Sequence, residues 1–337
     1  MPKIHEKSAS AQLCDFFDKI QDITEKFLTK RAITRNAKKE KRKAKNPVLD
    51  WIDAFIWAAC MVLLANQYLI QAYRIPSGSM IDSLNIGDHV LVNKLVYGPE
   101  VLPGFIKLPS PVKPVRNDII IFESPAYISR GTVFDVAQRV IYMLTLSLVD
   151  IDKDERGEQR VHFLIKRAVG QEKDHFIMKD GDMVIRFAGE DRWVSETEYN
   201  AQRGYKHNIN RLMQQQQYET LRAIGKADGW IDRGFQVSQN LIAQTSGAAD
   251  LRHFDRIAYE EARLETLRKA APHDKRYASL LAKNRLGWYI PEGRVFAMGD
   301  NRDSSNDGRN FGPVNTSKVL GRGMVIFWPF RNFGGMK

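Results

Sequence analysis

Cysteine is almost absent from this sequence. Its 337 residues include two cysteines, Cys14 and Cys60, and the last 277 residues contain none. A disulfide scaffold and a zinc site built from paired thiolates are therefore excluded for most of the chain. If that part of the chain lies outside the cytosol, its hydrophobic core alone must hold it together.

Long apolar runs are also scarce. Mean hydropathy is -0.39, which excludes a polytopic membrane protein. Hydrophobic residues make up 43% of the chain and charged residues 27%, an ordinary globular composition that excludes wholesale disorder. At about 150 residues per domain, the length predicts two domains. No internal repeat with a period of about 20–50 residues is found.

One apolar run does occur near the N-terminus. From Ala54 to Tyr73 no side chain is ionised over 20 residues, and a helix of that length spans about 30 Å, the thickness of a hydrocarbon core. The sequence therefore predicts a transmembrane helix over residues 51–73. A buried core helix is the alternative interpretation.

Basic residues are concentrated just before this run. Residues 1–50 carry a net charge of +6 out of +11 for the chain, and nine Lys or Arg against one Glu lie between Lys30 and Lys45. Positive charge beside a span indicates its cytoplasmic side. We therefore expect a basic cytoplasmic segment over residues 1–50, a single-pass signal anchor, contact with membrane phospholipid, and no nucleic-acid partner.

The remainder predicts a mainly β fold. Short β-rich runs punctuated by Gly, Pro, Asn and Asp do not alternate with helices, which favours antiparallel sheet over a parallel α/β architecture. We place a β-rich catalytic domain over residues 74–199 and 286–337. The predicted strands are His89–Tyr97, Asp118–Glu123, Val161–Val169, Met183–Phe187, Gly293–Met298 and Val319–Trp328.

Two stretches have helical character instead. Residues 132–149 place apolar side chains along one helical stripe, for which packing on the sheet is favoured over contact with lipid. Residues 200–285 are rich in helix formers and predict a helical insertion within the β domain.

Three polar segments could carry chemistry. Pro76–Met80 places Ser79 on a turn shaped by Gly and Pro, where it is either an exposed nucleophile or part of a linker. Residues 165–170 put Lys166 and Arg167 inside an apolar run. Because strand side chains alternate, one of these cations must face the core, and burial would lower a lysine pKa toward the value a general base needs. Two exposed edge-strand cations are the alternative.

The third segment is the polar loop at residues 299–309. Asp303, Ser305, Asp307 and Gly308 match the first ligand positions of a calcium-binding EF-hand, but Val314 replaces the required glutamate at the twelfth position, so we reject a calcium site. The loop is either an exposed turn or a buried, hydrogen-bonded element of a site.

Taken in chain order, these segments resemble type I signal peptidases (leader peptidases). SGSM follows an apolar anchor, and DIIIF, IKRAVG, MGDNRDSSNDGR and GRG come after it in that order. By this resemblance Ser79 is the nucleophile and Lys166 the general base of a Ser-Lys dyad. Ser77 contributes its side chain to an oxyanion hole beside the Ser79 N–H. The fold implied is a coiled antiparallel β-barrel-like catalytic domain.

The resemblance also assigns the polar loop. Ser305 would orient the lysine through a hydrogen bond, Asp307 and Arg309 would form a structural ion pair, and Gly299 and Asp300 would shape the site. No metal or cofactor is implied.

The function implied is that of a monomeric, membrane-anchored serine endopeptidase. It would remove signal peptides from secreted preproteins at the outer face of the inner (cytoplasmic) membrane. Two alternatives remain open. One is another Ser-Lys hydrolase, such as a self-cleaving repressor-like domain. The other is a catalytically silent, anchored β domain that binds exported chains.

Overall fold

The computed structural model describes residues 21–22, 24–26, 28–35, 47–102, 106–110, 112–157, 160–245 and 251–336. Most of the predicted basic segment at 1–50 lies outside these residues, including 36–45 of its densest part. The described chain divides into two compact units, Met1–Met61 and Val62–Lys337.

The apolar run forms helix α1, Pro47–Tyr68. Its Asp50–Tyr68 portion is, within the described residues, the one helix whose length and composition would allow it to cross a membrane. The prediction that this helix continues to Tyr73 is wrong, because Ile70–Arg74 forms strand β1. A continuous apolar run does not distinguish a helix from a buried strand, and here Ala72 and Tyr73 pack in the core of a sheet.

The main sheet contains eight antiparallel strands. Its order along the sheet is β1, β2, β13, β5, β6, β11, β12, with β14 paired to β13. The pairing register shifts within β13 and β11 at irregularities, and such bulges bend and twist a sheet. The mainly β, coiled antiparallel fold is thereby confirmed. The strands are β1, β2 (His89–Asn93), β5 (Ile119–Glu123), β6 (Phe163–Gly170), β11 (Arg294–Met298), β12 (Val314–Asn315), β13 (Val319–Trp328) and β14 (Gly334–Gly335).

The part of the chain that the structure describes also contains two smaller sheets. A four-stranded sheet has the order β10, β7, β8, β9, and a two-stranded hairpin pairs β3 with β4. Their bounds are β3 (Glu100–Leu102), β4 (Ile106–Lys107), β7 (His175–Lys179), β8 (Asp182–Arg186), β9 (Trp193–Ser195) and β10 (Trp288–Tyr289).

Helix α2 (Thr132–Leu144) occupies the predicted helical stretch at 132–149. Its Met143 is buried and its Tyr142 packs against the main core, but neither belongs to the predicted apolar stripe. Leu144 and Leu148 of that stripe are 41% and 68% exposed. The prediction that the stripe packs on the sheet is therefore wrong for these two residues.

Between β9 and the return to the sheet at β10, the described residues form five helices. Ser195 and Asp255 cap two of them through side-chain oxygens that accept backbone N–H groups, which satisfies otherwise unpaired donors. Tyr218, Leu221 and Leu251 form a core of their own. The helices are α3 (Glu196–Arg203), α4 (Gln217–Ile231), α5 (Gln239–Thr245), α6 (Arg256–Ala270) and α7 (Lys275–Leu286), and the short α8 (Gly308–Phe311) follows later in the chain.

Candidate active site

Ser79 lies on a tight turn immediately after β1. Gly78–Met80 forms one turn of 3₁₀ helix, and Met80, only 1% exposed, anchors this turn in the main core. From the far side of the sequence, the Asn301 backbone N–H donates to the Ser79 carbonyl at 3.1 Å, and its side-chain amide donates to the Gly78 carbonyl at 3.0 Å. The hydroxyl of Ser79 is thereby held at a defined place.

Lys166 reaches this hydroxyl from strand β6. Its Nζ donates to Ser79 Oγ at 2.7 Å and to the Ile165 carbonyl at 3.0 Å. The residue is 2% exposed. Burial lowers the pKa of Lys166 to about 8, against the opposing effect of the Asp307 and Asp300 carboxylates. The neutral amine is the minor form near pH 7, but it is far more populated than in an ordinary lysine, and it can accept a proton.

Arg167 points to the opposite face of β6, yet it is also buried, at 1% exposure. The alternative of two exposed edge-strand cations is therefore wrong, because both Lys166 and Arg167 are buried. Two bonds of 2.8 and 2.7 Å join Arg167 to Asp300. A buried guanidinium needs such a partner, and the pair fixes β6 to the polar loop. Ser83 also donates to Asp300, at 2.6 Å.

The polar loop is folded around Asp307. The Gly299 N–H donates to its carboxylate at 3.0 Å, and Arg309 pairs with it at 2.9 Å. Burial acts to raise the pKa of Asp307, but the Arg309 charge and these hydrogen bonds outweigh it, so the pKa lies below its usual value. The carboxylate is engaged by protein groups, consistent with rejecting a calcium site.

Gly299 permits the close contact between this loop and the nucleophile turn. A Cβ atom at this position would lie 2.5 Å from the Ser79 carbonyl oxygen and would also overlap Ser305. Real Cβ atoms do not approach other atoms so closely. Only glycine therefore fits here without displacing Ser79.

The predicted hydrogen bond between Ser305 and Lys166 is not formed. Within the described chain the buried Ser305 hydroxyl has no partner of normal hydrogen-bond geometry. It lies beside Asp307 closely enough to favour the ionised carboxylate. Lys166 instead directs its bonds to Ser79 and Ile165. Ser305 is therefore a neighbour of the site rather than a direct contact of the lysine.

Ser77 precedes the nucleophile turn and is exposed. Its side chain makes no capping hydrogen bond to the turn, and it lines the same cleft as Ser79 and Lys166. The hydroxyl is therefore available to a group bound in that cleft.

Sequence reasoning missed two features of the site. Asn301 stood inside the motif, but nothing in its spacing showed that it would bind both carbonyls of the serine turn. No motif or spacing in the sequence pointed to Glu196, although it forms a buried ion pair with Arg302 at 2.5 Å. Among the residues that the structure describes, no group of His, Cys, Asp or Glu has the arrangement of a metal site.

Comparison with known proteins identifies a family and several relatives. A family model described as "Signal peptidase, peptidase S26" matches residues 48–328. The chain is 24% identical over 320 residues to signal peptidase I of Buchnera aphidicola, a match that covers 92% of this chain and 86% of the relative. It is 25% identical to signal peptidase I of Aquifex aeolicus, covering 79% of each chain, and 25% identical to that of Haemophilus influenzae, covering 82% of this chain and 69% of the relative.

Proposed function

Because the chain belongs to the signal peptidase family, peptidase S26, we propose that it removes signal peptides from secreted preproteins with a Ser79–Lys166 dyad. The observation that carries this proposal is the 2.7 Å hydrogen bond between Lys166 Nζ and Ser79 Oγ at a buried position. Nucleophile and base within hydrogen-bond reach form the signature of covalent catalysis by a hydroxyl.

The reaction begins when neutral Lys166 takes the hydroxyl proton as Ser79 Oγ attacks the scissile carbonyl. The peptide nitrogen then leaves with a proton from Lys166, and an acyl-enzyme remains on Ser79. Lys166 next deprotonates a water that attacks the ester, and the serine regains its proton. Acylation and deacylation each end with the lysine in the neutral state in which it started.

The oxyanion is assigned to two donors, the Ser79 backbone N–H and the Ser77 hydroxyl. Preorganised donors of this kind typically contribute about 3–4 kcal/mol each to transition-state stabilisation. Ser77 is exposed in the cleft and makes no capping bond, which supports this role. Gly299, Asp300, Ser305, Asp307 and Arg309 are proposed to position the dyad rather than to react.

Helix α1 is proposed as a membrane anchor with its N-terminus in the cytoplasm and residue 70 onward outside it. The length of the apolar helix supports this assignment, as does the basic sequence before it. An anchored protease acts on bonds that emerge from the bilayer. Signal peptides place their cleavage site just after a membrane-inserted apolar segment.

The test is to incubate the full-length protein in detergent with a secretory precursor and to sequence the N-terminus of the product. We expect one cut after the signal sequence. Ser79→Ala and Lys166→Ala should each lower the rate by about a thousandfold or more. The exposed Ser317 and Lys113 supply matched controls, and Ser317→Ala and Lys113→Ala should cleave at the normal rate. Full activity in either dyad variant would refute the assignment, and an inactive wild-type protein would favour a silent binding domain.

A further inference from the structure

The Ser79 N–H, one of the two donors assigned to the oxyanion, belongs to the peptide group that joins Gly78 to Ser79. This peptide bond is trans, and the atoms of a peptide group lie in one plane. The Gly78 carbonyl and the Ser79 N–H therefore point in opposite directions. Any contact that fixes the carbonyl also fixes the direction of the N–H.

The side chain of Asn301 makes such a contact. Its Nδ2 donates to the Gly78 carbonyl at 3.0 Å, and the same carbonyl accepts the Ile81 N–H at 3.2 Å within the turn. The Asn301 backbone N–H donates to the Ser79 carbonyl at 3.1 Å. One residue thus binds the peptide groups on both sides of the nucleophile, the first through its side chain and the second through its backbone.

The bond to the Gly78 carbonyl also affects the strength of the donor. Hydrogen bonds in a chain polarise one another, so a carbonyl that accepts a bond strengthens the N–H of its own peptide group. Ser79 is the second residue of the 3₁₀ turn, and the first N–H groups of a helix have no acceptor inside it. The Ser79 N–H is therefore oriented and strengthened by Asn301 while it stays available to a bound oxygen.

Asn301 is itself held from both sides. Its neighbours Asp300 and Arg302 are 0% and 2% exposed, and each forms a buried ion pair. The Asn210 N–H donates to the Asp300 carbonyl at 2.8 Å, and the Asn210 carbonyl accepts the Arg302 N–H at 3.0 Å. The amide of Asn301 therefore reaches the serine turn from a rigid support.

The other end of this amide lowers stability. Asn301 is 5% exposed, and within the described part of the chain its Oδ1 has no hydrogen-bond partner. A buried polar atom without a partner is unfavourable. Leucine, of similar size, would remove this oxygen, and the Gly78 carbonyl would keep its bond from Ile81. The donor to Gly78, and not stability, therefore accounts for an amide here.

We propose that Asn301 is a positioning residue for the oxyanion hole, which aims the Ser79 N–H at the developing oxyanion by holding the Gly78 carbonyl. This inference rests on the proposed function, since it requires a tetrahedral intermediate on Ser79. The bond from Asn301 to Gly78 is present before substrate binds, as preorganised electrostatic stabilisation requires.

The experiment compares Asn301→Leu with the wild-type full-length protein in detergent on one precursor peptide. We expect kcat to fall about 10–100-fold while KM stays within about threefold, because the oxyanion contact is made only in the transition state. Outright removal of an oxyanion donor typically costs about 100–1000-fold, and here the N–H remains but is no longer held. Asn310→Leu, the same substitution at an exposed position, should leave both constants unchanged.

A second measurement reports on the oxyanion directly. With a peptide aldehyde that ends in alanine, Ser79 Oγ bonds to the aldehyde carbon, its proton passes to Lys166, and the carbonyl electrons move onto the oxygen in the oxyanion position. The matching peptide alcohol cannot form this adduct. We expect the wild-type protein to bind the aldehyde at least about 100-fold more tightly than the alcohol. Asn301→Leu and the smaller Asn301→Ala should each reduce this preference at least about tenfold.

The ratio of the two inhibition constants does not depend on how much enzyme is folded. An unchanged aldehyde preference in both variants, whether or not kcat falls, would overturn the role of Asn301. The midpoint of the pH dependence of kcat/KM should be the same in Asn301→Leu as in the wild-type protein. A shifted midpoint would show that this side chain acts through Lys166 and would also overturn the proposal. No cleavage by the wild-type protein would contradict the proposed function instead.

Discussion

At the scale of single residues, two lysines of the main sheet lose their aqueous environment. Lys94 and Lys166 are each 2% exposed, and burial lowers the pKa of both to about 8. Their partners differ, because Lys94 donates to the Gln71 amide oxygen at 3.2 Å and Lys166 donates to a serine hydroxyl. Lowered basicity therefore does not identify a catalytic lysine by itself. The hydroxyl at its tip and the adjoining cleft distinguish Lys166.

The pKa of Lys166 has a direct consequence for activity. The proposed base works only as the neutral amine, which is the minor form below a pKa of about 8. We therefore expect kcat/KM to fall about tenfold for each pH unit below that value and to level off above it. Initial rates on one peptide between about pH 5.5 and 9.5 would show this falling part of the pH–rate profile. A rate independent of pH across this range would exclude a neutral-lysine base.

At the scale of elements, the loop after β11 depends on the helical region for its position. Arg302 in this loop forms a bidentate ion pair with Glu196 at the start of α3. The Asn210 carbonyl accepts the Arg302 N–H at 3.0 Å. Next to Arg302, Asn301 holds the serine turn. The helical region thus contributes to the active site through backbone and ion-pair contacts with this loop.

Removal of one partner from this buried pair should be costly. Glu196→Ala leaves the 2% exposed Arg302 without its carboxylate, which typically costs about 3–5 kcal/mol. The nearby pair of Arg192 and Glu198 is largely exposed, at 70% and 41%, so Arg192→Ala should cost less than about 1 kcal/mol. Urea unfolding at pH 7 would measure the free energy of unfolding of both variants. Equal losses of unfolding free energy in the two variants would show that burial does not raise the contribution of the Glu196–Arg302 pair.

The sequence predicted an element best where one residue pattern continued along the whole element. The prediction of a strand over Val319–Trp328 is confirmed to the residue, because it is a long β-rich run bounded by polar turns. Strand β1 was missed because it continues the apolar run of α1 without a break. Ser79 and Lys166 could be named from their motifs. Their contact depends on strand order, which leaves three strands between β1 and β6 along a curled sheet.

At the scale of the whole molecule, the C-terminal end of the apolar helix is attached to the β domain. Its last turn belongs to the same compact unit as the sheet. Gln67 donates to the Glu100 carbonyl at 2.8 Å, and Tyr68 donates to the Val101 carbonyl at 3.0 Å. These two polar side chains near the end of the apolar run therefore have partners within the β domain. The division of the chain into domains at residues 50, 199 and 285 stays a prediction.

Two truncations would separate the proposed anchor from the fold. Removal of residues 1–61 leaves the compact unit Val62–Lys337, and we expect it to cleave a short peptide while losing flotation with phospholipid vesicles. Removal of residues 1–74 also deletes β1, including Tyr73 at 2% exposure. Loss of a buried aromatic residue alone costs about 3–5 kcal/mol of stability. The longer truncation should therefore unfold at a clearly lower urea concentration than the shorter one. Undiminished flotation after the first truncation would contradict the assignment of α1 as the membrane anchor, and equal stability of the two would contradict β1 as part of the core.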